Sequence, residues 1–208
     1  HVQNFQAASH NADAQRYAAD GYVVLLPNPR GSSGYGDAGL KAVVGDWGGL
    51  DFQDIMAGVD ELIDRGVAHP DSLGVMGWSY GGFMTAWTVT QTSRFKAAVA
   101  GAAITENIAM WGTQDIQHVF EAYFGGGPYE PGMWDVYQKS NPLAFIEQAT
   151  TPTMMIHGAN DPRVPPNQAL IFYRGLKANG VDSKLVWLLS NRSFDTNTSG
   201  ASVLASRR

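Results

Sequence analysis

Apolar residues recur at helical spacing between Asp51 and Gly66. Six of them share one face of a predicted helix, and acidic side chains occupy the opposite face. Asp51 stands near the start, and Gly66 favours the end because glycine readily adopts the left-handed conformation that closes helices. The apolar residues are Phe52, Ile55, Met56, Val59, Leu62 and Ile63, and the acidic ones are Asp54, Asp60, Glu61 and Asp64.

Continuous apolar runs predict strands that are buried on both faces of a sheet. The first is Tyr22–Leu26, which shows no polar alternation. Strands alternating with helices indicate an α/β fold with a mostly parallel sheet flanked by helices. Residues 104–139 are less regular and are expected to pass over the sheet. The other predicted strands lie near 72–76, 95–103, 152–158 and 183–189, and other helices near 13–19, 82–92 and 166–180.

Composition narrows the class of protein. The 208 residues, 44% of them hydrophobic, fit one large domain or two small ones with a substantial core. A net charge of -5 without a basic patch argues against nucleic acid and anionic membranes as partners. No cysteine is present, the five histidines lack metal-ligand spacing, and no cofactor is implied. We expect a soluble protein, and the compartment stays open between cytoplasm, periplasm and secretion.

A serine enclosed by glycines follows the predicted strand at 72–76. Gly77-Trp78-Ser79-Tyr80-Gly81 matches G-x-S-x-G, with a strand before it and a helix after it. Such a turn lifts a nucleophilic serine above the sheet edge, and side chains at the glycine positions would collide with the neighbouring strand or helix. The plainer interpretation is a glycine-rich strand-to-helix turn without chemistry.

A second glycine pattern suggests another class of protein. Residues 34–39 read G-x-G-x-x-G, and Asp60 follows at the spacing of a dinucleotide site. However, a long loop separates Leu26 from Gly34, and the glycines that follow make a poor helix. The serine motif is therefore the stronger hypothesis.

Three stretches in chain order carry a family resemblance: GYVVLLPNPRGSSGYG, GVMGWSYGG and IHGANDPRVPPNQA. Together they resemble the catalytic domain of the prolyl oligopeptidase family of serine peptidases, closest to its dipeptidyl peptidase and acylaminoacyl peptidase branches. The resemblance runs from about Asp13 to about Leu188. It implies an α/β-hydrolase fold and hydrolysis of peptide bonds in short peptides through a serine acyl-enzyme.

The resemblance also implies catalytic roles. Ser79 is the expected nucleophile, and the backbone N–H of Tyr80 is one expected oxyanion donor. Tyr35 matches the tyrosine whose hydroxyl is the second donor, and Asp161 matches the triad acid. If the resemblance failed, Tyr35 would be a loop tyrosine and Asp161 a turn aspartate before Pro162.

Substrate contacts are implied for residues near the acid. Tyr80 and Val164 match positions that line the specificity pocket. Arg163 lies beside Val164, where it is expected either to contact substrate carbonyl groups or to be a solvated loop residue. A peptide is the expected substrate, and an oligomer is compatible with the sequence.

The triad base is not evident in this sequence. In α/β-hydrolases the histidine follows the last strands, yet no histidine occurs after His157. His157 matches a family histidine that is not the base, His69 belongs to a turn at the opposite strand end, and His118 is the remaining candidate within the irregular segment. The chain is therefore expected to be inactive as it stands.

Both ends depart from the family pattern. The β-propeller that precedes the catalytic domain in the family is expected in the full-length protein, and the domain here is expected to be truncated at both ends. We assign residues 1–189 to a partial catalytic domain and residues 190–208 to an atypical, disordered tail. The rival interpretations are a carboxylesterase-like hydrolase and a non-catalytic binding protein on the same fold.

Overall fold

The computed structural model describes residues 12–189 and 201–206. Helices and strands follow one another largely in the predicted order. The strands are β1 (Tyr22–Leu25), β2 (Leu73–Trp78), β3 (Ala97–Gly101), β4 (Thr153–Gly158), β5 (Ser183–Leu188) and β6 (Ala201–Ser206). The helices are α1 (Ala12–Ala19), α2 (Gly36–Lys41), α3 (Leu50–Asp64), α4 (Tyr80–Gln91), α5 (Asn107–Thr113), α6 (Gln117–Phe124), α7 (Met133–Lys139) and α8 (Asn167–Ala178), with a 3-10 helix at Pro142–Gln148.

The described strands form one sheet in the order β1-β6-β2-β3-β4-β5. β2 to β5 are mutually parallel, whereas β6 runs antiparallel to both of its neighbours, β1 and β2. β1 and β2 therefore point the same way, and the carboxyl ends of β1 to β5 share one edge of the sheet. Parallel α/β sheets bind ligands at this edge. The predicted α/β fold with a mostly parallel sheet is confirmed.

β1 is the outermost of the described strands on its side of the sheet, and the prediction that both of its faces are buried was wrong. Tyr22 is 43% exposed, and Val23 to Leu25 are half-buried. A short apolar run predicts a strand but does not reveal which strand is the last one in the sheet. The G-x-G-x-x-G segment follows far from β1, with residues 26–33 between them, and contributes only the short helix α2.

The end of the predicted disordered tail forms a strand instead. β6 inserts between β1 and β2, with Leu204 paired to Val24 on one side and to Gly74 on the other. Val203 and Ala205 are buried. Their alternation with Ser202 and Leu204 is the period-two pattern of a strand, which the polar composition of the tail obscured. Residues 190–200 and 207–208 lie outside the described residues, so disorder there and the boundary at 189 stay predictions.

Helix α3 confirms the amphipathic pattern. Ile55 and Val59 are buried, while Phe52, Met56, Leu62 and Ile63 pack against the same core. None of the helices within the described ranges has the length and apolar character needed to cross a bilayer.

An aromatic cluster joins the irregular segment to the sheet edge. The ring of Trp47 lies between 4.9 and 5.4 Å, centroid to centroid, from those of Tyr80, Phe83, Phe120, Tyr123 and Phe124. Because Tyr80 and Phe83 belong to α4 and the last three belong to α6, the cluster holds α6 over the start of α4. The segment at 104–139 is thus built of short packed helices.

Candidate active site

Ser79 occupies a strained turn between β2 and α4. Its φ of 58° and ψ of -117° lie in a region that non-glycine residues rarely adopt. The N–H of Ser79 donates to the carbonyl of Gly101 at the end of β3, over 2.9 Å. This hydrogen bond ties the strained residue to the neighbouring strand at the carboxyl edge of the sheet.

The flanking glycines are required by the lack of space. A Cβ at Gly77 would lie 2.4 Å from the carbonyl oxygen of Gly81, and a Cβ at Gly82 would lie 2.2 Å from that of Gly101. Both obstacles are backbone atoms, which cannot rotate away. The expectation that the motif has no room for side chains is confirmed at Gly77, and the same lack of space exists at Gly82, one residue beyond the motif.

An apolar cavity of about 360 Å³ opens beside Ser79. Tyr80 lines it from the start of α4, and Val164 lines it from the loop that follows β4. Trp47, Phe120 and other apolar residues of α5 and α6 form further walls. The pairing of Ser79 with Tyr80 and Val164, expected from the sequence, is thus present in one cavity.

A buried carboxylate holds Tyr80. The phenol of Tyr80 donates a hydrogen bond to Oδ2 of Asp51 on α3, and the backbone N–H of Phe52 donates to Oδ1 over 2.9 Å. Asp51 is fully buried, and this burial raises its pKa to about 6. The pKa of Tyr80 is raised as well, first by burial and then by the neighbouring carboxylate. The sequence did not indicate this pair, because an acid near a helix start is already explained by the helix dipole.

Asp161 is oriented by the backbone of its own loop. Its Oδ1 accepts the N–H of Arg163 over 2.9 Å and that of Val164 over 3.1 Å. The residue is buried, 7% exposed, just beyond the carboxyl end of β4. An oriented carboxylate at the same sheet edge as Ser79 suits the expected role of triad acid.

Arg163 lines the cavity but is engaged by an ion pair. Its Nε lies 2.6 Å from Oδ1 of Asp115, in the segment between α5 and α6. The N–H of Asp115 also donates to the carbonyl of Pro162 over 3.2 Å. These contacts fasten the α5–α6 segment to the loop that carries Asp161.

Tyr35 does not line this cavity. It precedes α2, its side chain is 59% exposed, and it is not among the residues that line the cavity beside Ser79. Ser79, Tyr80, Arg163 and Val164 line this cavity together, whereas Tyr35 and Asp161 are not among its lining residues.

Comparisons with known proteins identify the family of this chain. The model of the prolyl oligopeptidase family matches residues 8–192. This chain belongs to the prolyl oligopeptidase family. The uncharacterized peptidase YuxL of Bacillus subtilis (strain 168) is 43% identical over 176 residues, which are 83% of this chain and 26% of that protein. The acylamino-acid-releasing enzyme of Arabidopsis thaliana is 35% identical over 183 residues, 84% of this chain and 24% of that enzyme.

Solved structures of serine peptidases share the fold. An acylaminoacyl peptidase in complex with Z-Gly-Gly-Phe-chloromethyl ketone is 34% identical, with a TM-score of 0.74 over 78% of this chain and 26% of that chain. A puromycin-hydrolyzing peptidase of Mycobacterium tuberculosis is 28% identical, with a TM-score of 0.74 over 83% of this chain and 26% of that chain. The predicted α/β-hydrolase fold is confirmed. This member of the prolyl oligopeptidase family spans about a quarter of the length of the curated relatives it matches.

None of the described histidines of this prolyl oligopeptidase domain lines the cavity beside Ser79. His157 is fully buried, its Nε2 donates to the carbonyl of Val164 over 2.7 Å, and burial lowers its pKa. His118 is exposed on α6 and does not line the cavity. His69 accepts the N–H of Asp71 over 3.1 Å near the start of β2, at the opposite sheet edge.

The ion pair between Arg163 and Asp115 is expected to stabilise the fold only slightly. Their side chains are 56% and 42% exposed, and solvent screens exposed pairs. Urea unfolding of Arg163→Gln, Asp115→Asn and the double variant should give a coupling energy below about 1 kcal/mol. A coupling of several kcal/mol would show that the pair is more deeply buried in solution.

Proposed function

We propose that this domain carries serine peptidase chemistry directed at peptide bonds of short peptides. Ser79 would attack the carbonyl carbon, the amine would leave, and water would then hydrolyse the acyl-enzyme. The observation that carries the proposal is the strained Ser79 beside an apolar cavity that is also lined by Val164, whose N–H is bonded to Asp161. Names such as acylamino-acid-releasing enzyme among the relatives support this chemical class.

The oxyanion is proposed to form at the start of α4. The N–H of Tyr80 belongs to the first turn of that helix, where amides have no intrahelical acceptor and the helix dipole favours negative charge. The hydroxyl of Tyr35 is the proposed second donor. The support for this role is the sequence match and the position of Tyr35 beyond the carboxyl end of β1. Its side chain is exposed and does not line the cavity.

The base of the proposed triad has no assigned residue among the described histidines. No histidine follows His157 in the sequence, and none of the described histidines lines the cavity beside Ser79. Loss of one triad member costs on the order of a millionfold in turnover, because the remaining groups act as a unit. We therefore expect peptide turnover by this chain to be very slow, and we expect binding of peptides to persist.

A fluorophosphonate probe tests the nucleophile directly. The serine oxygen displaces fluoride from phosphorus, and its proton passes to a base or to solvent. We expect slow labelling of the chain that is accelerated by added imidazole and absent in Ser79→Ala. The control Ser93→Ala removes an exposed serine beyond α4 and should label like the parent. Equal labelling of Ser79→Ala would contradict the assignment.

The missing base favours a second candidate, a non-catalytic binding protein on the hydrolase fold. Complete absence of probe labelling at Ser79, with imidazole present, would support it.

A carboxylesterase is distinguished by substrate: a peptidase should turn over an aminoacyl-p-nitroanilide, whereas an esterase should prefer a simple p-nitrophenyl ester. A β-propeller in the full-length protein, association into oligomers and the absence of nucleic-acid or membrane partners also remain proposals.

A further inference from the structure

One hydrogen bond holds the hydroxyl of Tyr80. Tyr80 follows Ser79 directly and lines the cavity beside it. Its phenol nevertheless donates to Asp51, which belongs to α3 and is not among the residues that line the cavity. The side chain of Tyr80 is therefore fastened at two points, by its backbone at the start of α4 and by its hydroxyl on α3.

Aromatic packing confines the ring of Tyr80 further. The ring of Trp47 meets it edge-on, with centroids 4.9 Å apart, and the centroid of Phe83 lies 5.3 Å away. Both neighbours are buried in the core. The cavity that Tyr80 lines is the free space beside this ring, into which the side chain could turn if its hydroxyl lost the partner on α3.

Asp51 is a costly residue for a contact that serves stability alone. It is fully buried, and its Oδ1 is held by the N–H of Phe52 over 2.9 Å. Burial of a carboxylate costs free energy, and well-packed apolar residues of similar volume often stabilise a fold at least as well. Its bond to a residue of the cavity wall gives this carboxylate a role that an apolar side chain could not fill.

The rest of the cavity suits a large apolar side chain. Ser79, Gln114 and Arg163 are polar lining residues, and most of the others are apolar. At about 360 Å³ the cavity falls within the range of small-ligand pockets. A phenol that turned into this space would reduce its volume and place a hydroxyl against the ligand.

We propose that Asp51 is a positioning residue that determines the size of the accepted side chain: it holds the hydroxyl of Tyr80 on α3 and so keeps the cavity open to a large apolar side chain. The inference rests on the proposed function, in which a peptide binds at Ser79. Without the carboxylate the hydroxyl of Tyr80 would be buried and unpaired, which is unfavourable. The ring would then turn into the cavity, where a small side chain still fits and a large one does not.

Binding of two ligands of different size tests this inference in the chain as it exists. N-acetyl-phenylalanine amide and N-acetyl-alanine amide share one backbone and can be titrated by calorimetry at neutral pH. We expect the parent to bind the phenylalanine ligand at least about tenfold more tightly, because more apolar surface is buried. In Asp51→Leu, and in Asp51→Ala as a second variant, the ratio should fall to about one. Asp51→Asn should keep the parent ratio, since its amide oxygen can still accept the phenol.

A second substitution separates positioning from loss of stability. Asp51→Leu combined with Tyr80→Phe has no hydroxyl to satisfy, so the ring should stay in the wall and the ratio should return towards that of the parent. Unfolding of part of the sample cannot produce this pattern, because it weakens both ligands by the same factor. The matched control is Asp54→Leu on the same helix, whose carboxylate is bonded to Arg30, and it should keep the parent ratio.

The possible failures are distinguishable. An unchanged ratio in Asp51→Leu, or a lowered ratio that Tyr80→Phe does not restore, would overturn the role of Asp51 and leave the peptide site intact. An equal fall in Asp54→Leu would do the same. If the parent chain bound neither ligand, peptide binding in this cavity would be rejected, and the role of Asp51 with it.

Discussion

Gly82→Ala is expected to destabilise the fold by about 3 kcal/mol or more. Alanine normally stabilises a helix relative to glycine, but the added Cβ would lie 2.2 Å from the carbonyl oxygen of Gly101 and 2.9 Å from Cα of Ala103. The helix could retreat only by separating from β3. Since the same Gly101 carbonyl accepts the N–H of Ser79, the shift would also disturb the turn that presents the nucleophile.

Urea unfolding followed by circular dichroism measures this loss. The control is Gly112→Ala on α5, where a Cβ meets nothing within 4 Å, and it should be neutral or gain up to about 1 kcal/mol. An insoluble Gly82→Ala beside a soluble Gly112→Ala would agree with the prediction. A Gly82→Ala chain whose stability is close to that of the parent would contradict the close approach of α4 to β3.

The Ser79 turn could be predicted from the sequence because its requirements are local. A strand, a glycine on either side and a following helix stand within a few residues of one another, and the structure confirms the strained backbone and the lack of space. The apolar face of α3 was likewise predictable from spacing alone.

Features that depend on distant partners could not be predicted in this way. Asp51 looks like an ordinary acid at a helix start, and its bond to Tyr80 exists only because α3 and α4 meet. Gln114 carries no local signal, since its position at the cavity depends on contacts between the α5–α6 segment and the loop after β4. Strand β6 pairs with β1 and β2, which lie far from it in the sequence. The polar composition around β6 therefore did not predict that it forms a strand.

The pair formed by Asp51 and Tyr80 gives the second large expected effect, a dependence of stability on pH. Burial raises the folded-state pKa of Asp51 to about 6 from its ordinary value of 3.8, so the folded state binds the proton more tightly than the unfolded chain. The stabilisation from this proton is complete below about pH 4 and is lost as the pH rises through 6. A shift of this size corresponds to roughly 3 kcal/mol.

The free energy of unfolding of Asp51→Asn should therefore exceed that of the parent chain, by an amount that grows from pH 4 to pH 7. The amide remains neutral and can still pair with the phenol of Tyr80, which keeps the geometry of the cavity wall. The quantity to measure is the difference in unfolding free energy between variant and parent, from urea titrations at several pH values. A difference that does not change with pH would mean that Asp51 titrates normally.

Asp54→Asn on the same helix is the control with the opposite sign. Asp54 bonds to Arg30, whose guanidinium Nε donates over 2.8 Å, and this hydrogen bond lowers the pKa of Asp54. The stabilisation from the charged Asp54 is present above its unfolded pKa and is lost as the pH falls. Asp54→Asn should therefore have a lower free energy of unfolding than the parent at pH 7, and the two values should approach each other in acid. Two aspartates three positions apart would then respond to pH in opposite directions. That contrast arises because α3 buries one carboxylate against the Ser79 turn and presents the other to an arginine at the surface.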